Sequence, residues 1–167
     1  TWMDLSGKAT PFGRPAVYAG MQVSTNREYV IATRIKRPYS YLLPASSFPR
    51  DVEVWDRTGK VVRKVADVPM GDVVPVNGVQ QGARSAQWHP LEPATLIWVE
   101  ALDKGDIRNK VPHRDQVLTL AAPFTATPSA AVKTEWRFGG VSFTEQGVII
   151  VGESDRATRM VRSWVYD

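Results

Sequence analysis

Short runs of alternating apolar and polar residues recur along this chain, separated by polar turns rich in Gly, Pro, Asp and Thr. A period of two over such runs predicts β-strands, and no long stretch keeps the i, i+3, i+4, i+7 apolar spacing of an amphipathic helix. The runs repeat in one order: short strand, polar turn, apolar strand, long loop, alternating strand. The first unit reads as strands at 21–24, Tyr29–Ile35, 51–56 and 60–65. Its loop at 36–50 carries Pro38, Pro44 and Pro49, and Arg57-Thr58-Gly59 forms its hairpin turn. The second unit reads as Arg84–Trp88, 95–100, 115–120 and 131–134, with a charged loop at 103–112. The third reads as 139–143, 148–153 and 159–166.

A single antiparallel sheet cannot bury both of its faces, but sheets stacked side by side can. The expected fold is therefore all-β, a partial β-propeller of about two and a half to three four-stranded antiparallel blades. The chain is treated as a fragment of one propeller domain, with blade-like units at about 16–68, 82–135 and 137–167. A β-sandwich of about ten strands is the alternative. Blades left at the ends of a fragment expose apolar faces, so the fragment is expected to self-associate or to be padded by residues 1–15.

Composition narrows the function. The 167 residues are 43% hydrophobic and 23% charged, which suits a packed globular domain. Six Trp supply large fillers for strand faces. Lys and Arg number 21 against 17 Asp and Glu, a net charge of +4 with no run of five like charges, so no nucleic-acid partner is expected. No apolar stretch approaches a membrane span, so no membrane partner is expected either. With no cysteine, disulfides, a thiolate nucleophile and a cysteine zinc site are excluded, while the compartment stays open. The chain starts at Thr1 and stops at Asp167 within a strand-like run, and both ends read as cuts in a longer protein.

Catalytic patterns are missing. A G-x-S-x-G nucleophile elbow is absent; segments 140–144 and 152–156 each break the pattern. His89 and His113 are the two histidines, each beside a proline (Pro90, Pro112) in a turn or loop, a poor start for a triad or a metal site. Asp103-Lys104-Gly105-Asp106 resembles a calcium loop only loosely, lacking the repeated acids and the closing Glu. No Gly-rich loop opens a helix to cradle phosphate. No catalytic residue, metal or cofactor is expected within the chain.

Several stretches, in order, resemble the glutamyl endopeptidase group of the prolyl oligopeptidase superfamily. They are Arg37-Pro38-Tyr39-Ser40-Tyr41 with Phe48-Pro49-Arg50, then Val52-Glu53-Val54-Trp55-Asp56 and Gly82-Ala83-Arg84-Ser85. Further on come Thr95 to Glu100 with Gly105-Asp106, Arg114-Asp115, Arg137-Phe138-Gly139-Gly140, and Arg156 to Arg159 leading to Trp164-Val165. The resemblance implies an N-terminal propeller that covers the active site of a C-terminal α/β-hydrolase domain, where the family's Ser, Asp and His lie. Its expected partners are that domain and a peptide substrate. It implies peptide hydrolysis after Glu by the whole enzyme, a gating role for this portion, and a periplasmic or secreted location for a bacterial member.

Cleavage after Glu calls for cations. Arg84 and Arg137 begin the first strands of the second and third units, and a guanidinium suits two-point capture of a carboxylate. They are the candidate substrate-binding residues, set against a purely structural pairing between neighbouring sheets. The loop at 36–50, with Tyr39, Tyr41 and Phe48, is expected to gate entry, to pack on the hydrolase domain or to fold on its own blade. A free-standing, non-enzymatic propeller or sandwich that binds a protein is the alternative function.

Overall fold

The computed structural model describes residues 1–166. Among these there is no α-helix, only two single-turn 3-10 segments at Ala45–Ser47 and Gly71–Val73, so no helix is long and apolar enough to cross a membrane. Thirteen strands form four antiparallel sheets. Strands β1 (Trp2–Met3) and β2 (Ala9–Thr10) make a small N-terminal hairpin that the alternation pattern does not reveal.

The first large sheet is a meander of β3 (Val17–Val23), β4 (Tyr29–Ile35), β5 (Arg50–Asp56) and β6 (Val61–Val68). The second repeats it with β7 (Arg84–Trp88), β8 (Thr95–Ala101), β9 (Asp115–Ala121) and β10 (Ser129–Thr134). The third has three strands, β11 (Arg137–Phe143), β12 (Ile149–Asp155) and β13 (Met160–Tyr166). Tyr29–Ile35 and Arg84–Trp88 match the sequence reading to the residue, while β3 starts earlier and β6 runs further than expected.

Alternation decides which way each side chain packs. In β8, Leu96 and Trp98 face the first sheet and join Ile31, Val52, Val54, Trp88 and Phe124 in one core. Ile97 and Val99 face the third sheet and join Val117, Val132 and Val151 in a second core. The second sheet is thus apolar on both faces, as a middle layer must be. The indole N–H groups of Trp55, Trp98 and Trp164 each donate to a carboxylate (Glu53, Glu100, Glu153), so each large filler brings a polar atom with a partner.

The outer face of the first sheet is covered from within the chain. Phe12 packs on Trp55 at 5.7 Å between ring centroids, Trp2 packs on Phe12 at 5.1 Å, and Arg14 lies 3.9 Å from buried Glu53. The backbone at Gly13, with φ +69°, lies so close to Trp55 that a Cβ there would sit 2.0 Å from its Cζ3. On the far side of the third sheet, Val161 and Val165 remain 75% and 70% exposed.

Two different ends result. Tight turns join the strands at one end. The long connections 36–49, 69–83 and 102–114 crowd the other, where β7, β9 and β11 begin and β8 and β10 end. That second end holds the charge.

Candidate functional site: an arginine-lined hollow

The first strand of each of the three large sheets carries a register shift: Tyr18/Gly20 in β3, Arg84/Gln87 in β7 and Phe138/Gly140 in β11. Such bulges bend a strand and re-aim its side chains. In β7 and β11 the irregularity directs Arg84 and Arg137 toward the same buried carboxylate, Asp115, the first residue of β9. Arg84 donates to it at 2.6 Å, Arg137 at 2.9 Å, and the backbone N–H of Phe138 at 2.7 Å. Arg137 also donates to Asp103 at 2.5 Å and 3.2 Å, and Arg114 donates to Asp103 at 2.9 Å. Both aspartate side chains are fully buried; the Arg84 and Arg137 side chains are 18% and 15% exposed.

Arg137 therefore links the second and third sheets through two carboxylates at once. Burial pushes the Arg84 guanidinium below the usual arginine value, with Asp115 opposing that shift. Burial works the same way on Arg137, but Asp103 and Asp115 outweigh it and the net shift is upward. Burial alone would raise Asp103; hydrogen bonds from Arg137, Arg114 and the Gly105 N–H hold its carboxyl below the usual range. The loose calcium-loop likeness of 103–106 gives way to this arrangement. Asp103, the loop's first acid, faces guanidinium groups and a backbone N–H, and a cation there would meet two arginines.

Beside this cluster lies a hollow of about 190 Å³ at the long-loop end. Arg114, Arg137 and Arg156 line it, with Trp136, Asp155 and the backbone around Gly78. Arg84 sits behind it, against Asp115. Arg156 is exposed and forms no ion pair among the described residues. Asp155 is turned toward its own strand end, where the Thr158 hydroxyl and the Ala157 N–H lower its pKa. Four guanidiniums (Arg84, Arg114, Arg137, Arg156) against three carboxylates (Asp103, Asp115, Asp155) leave one positive charge. One buried Arg84 donor, Nε, has no partner.

As candidate binding residues the sequence singled out Arg84 and Arg137 but not Arg114, Arg156, Asp103 or Asp115. Arg114-Asp115 and Arg156 stood out only as part of the family resemblance, and Asp103 only as the first acid of a loose calcium-loop likeness. Their shared position at one end of successive sheets is the signal that finds them. The loop 36–49 folds largely on itself: Tyr39 stacks on Phe48 at 5.7 Å, and the Ser40 hydroxyl accepts the N–H groups of Leu42 and Leu43. Tyr41 and Leu42 project from it fully exposed. His89 lies at the opposite end of the sheets, against Phe143.

These features define an all-β, antiparallel sheet protein with a charged seam and an arginine-lined hollow. Comparison with curated proteins gives that class a relative. The chain is 37% identical over 166 residues, 97% of its length, to each of two proteins named "Probable glutamyl endopeptidase, chloroplastic", from Oryza sativa subsp. japonica and from Arabidopsis thaliana. It spans 18% and 17% of their lengths. The chain is thus homologous to a segment of proteins named glutamyl endopeptidase, and the resemblance to that group read from its sequence holds. No family model and no solved structure matches it.

Proposed function

We propose that this chain is the propeller portion of a serine endopeptidase of the prolyl oligopeptidase type that cuts after Glu, and that it gates peptide access without hydrolysing peptides itself. In this reading the three large sheets are successive blades. Homology along nearly its whole length to a small part of glutamyl endopeptidases is the observation that carries the reading. Successive sheets joined in the same strand order support the blades. The functional partners are then an α/β-hydrolase domain elsewhere in the longer protein and the peptide itself.

The same reading gives Arg137 and Arg84 a role at the substrate. Arg137 lines the hollow, and Arg84 holds Asp115 behind it, so an acidic side chain entering there meets a net positive charge. The test uses the full-length enzyme and matched peptides with Glu or Gln before the cleaved bond. A charge-assisted hydrogen bond is worth about 1.5–3 kcal/mol, or roughly 10- to 100-fold in kcat/KM. Arg137→Ala is expected to shrink the Glu-over-Gln preference by that factor. The exposed Arg156→Ala, which breaks no ion pair, is expected to shrink it with folding unchanged. An unchanged preference in both variants rejects the arginine role. No Glu-directed cleavage by the parental full-length protein rejects the peptidase reading as a whole.

A further inference from the structure

The two seams between sheets are filled differently. Between the first and second sheets, Trp88, Trp98, Phe124 and Tyr29 close the space. Between the second and third, at the tight-turn end, Thr95, Thr119 and Ala121 on the second sheet face Val141, Phe143, Ile149 and Val151 on the third, and no Trp reaches in from either side. Protein interiors normally pack to crystal density, so short side chains along the second-sheet wall leave space. Here they leave a hollow of about 460 Å³, within the range of small-molecule sites. It lies at the opposite end of the strands from the arginine hollow, roughly 20 Å away at ~3.4 Å per residue.

The walls are mainly aliphatic, and the mouth is polar. His89 packs on Phe143 at 4.3 Å between ring centroids. Its Nδ1 accepts the Leu91 N–H at 3.3 Å, which turns Nε2 toward Glu92, 3.9 Å away. Among the described residues Glu92 is the only carboxylate on the lining and no Lys or Arg lines it; half of the Glu92 side chain is exposed. An apolar chamber with a single negative charge at its entrance fits a molecule with an apolar body and one cationic end.

We propose that this inter-sheet hollow is a binding site for a small arylalkyl amine, its ring among Ile97, Val117, Val141 and Ile149 and its ammonium at Glu92. The proposal is independent of the peptidase reading. Water leaving the aliphatic walls supplies the non-specific part of the affinity, and Glu92 supplies the sign of charge.

The test titrates tryptamine, and separately its anionic counterpart indole-3-propionate, into the isotopically labelled chain while methyl resonances are followed. Tryptamine is expected to shift the Ile97, Val117, Val141 and Ile149 methyls and to bind at least about tenfold tighter than indole-3-propionate, the size of one ~1.4 kcal/mol charge interaction. Glu92→Gln is expected to bring the two ligands to parity, and Thr119→Trp, which fills the chamber, to abolish both. Methyl shifts in the unsubstituted chain decide the matter should Thr119→Trp fail to fold. No shift of these methyls up to the solubility of tryptamine overturns the proposal. Equal binding of amine and acid overturns it too, as does binding that survives in folded Thr119→Trp.

Discussion

Asp115 offers the sharpest test of the charged seam. Its carboxylate is fully buried and takes Arg84, Arg137 and the Phe138 N–H, so it joins β7, β9 and β11 from two sheets. Replacing it with Asn keeps the shape and removes the charge. The amide oxygen can stand where both guanidiniums donate, but without the negative charge that balances them, and the amide NH2 then faces the Phe138 N–H, from which it cannot accept. Removing one partner of a buried pair costs about 3–5 kcal/mol, because the charge left behind stays desolvated. Adding up three charge-assisted hydrogen bonds separately would overshoot, since they share one acceptor group and act as a unit. For a chain of this size about 2–4 °C is lost per kcal/mol, so the melting midpoint should fall by roughly 6–20 °C. The assay is thermal unfolding by circular dichroism on matched samples at neutral pH. Asp106→Asn serves as the control, because its partner Arg108 is two residues away and 81% exposed; no measurable shift is expected there. A drop of less than about 1 kcal/mol for Asp115→Asn would refute the reasoning, since it would mean that the arginines find water or other acceptors once the charge is gone.

Two further outcomes follow from the same geometry. Gly13→Ala sets a Cβ against Trp55 at a positive φ, so the N-terminal arm should lift off the first sheet. A loss of about 1–3 kcal/mol and faster proteolysis within residues 1–14 are expected, and an arm equally protected in the variant would contradict the packing. Acid should weaken the fold through Asp51, Asp103 and Glu153, whose pKa values are held low by Lys36 and Lys64, by Arg137 and Arg114, and by Trp164 with Arg162, against the upward push of burial. A depressed carboxyl adds stability that is complete above its unfolded value, about 4, and is lost as pH falls through the folded one. Denaturant midpoints should therefore be flat from pH 7 to about 5 and decline below about 4. The Asp103→Asn curve should lie lower at neutral pH and approach the parent curve as the acid limit is reached; a constant gap down to low pH would contradict the pairing.

Local chemistry made much of the fold legible. Alternation in DVEVWD sends Val52 and Val54 to one face of β5 and Asp51, Glu53 and Trp55 to the other, and the structure keeps that division. The hairpin at Arg57-Thr58-Gly59 and the strand at Thr95 follow from turn residues and β-branched side chains in the same way. The N-terminal hairpin escaped notice because two-residue strands carry no period, and its place is set by Trp55, more than forty positions away.

What the sequence determined by itself is the β class, the strand order and the two arginines that open β7 and β11, because these depend on neighbours within a few positions. Only the tertiary structure decided what those arginines meet. Asp103 and Asp115 lie 34 and 22 positions from Arg137, and no periodicity relates them. They come together because successive sheets place the same strand ends side by side, where a buried charge must find a partner. The two hollows belong to that level as well. Each is lined by residues from two neighbouring sheets and their loops, so no single stretch of the chain contains either lining.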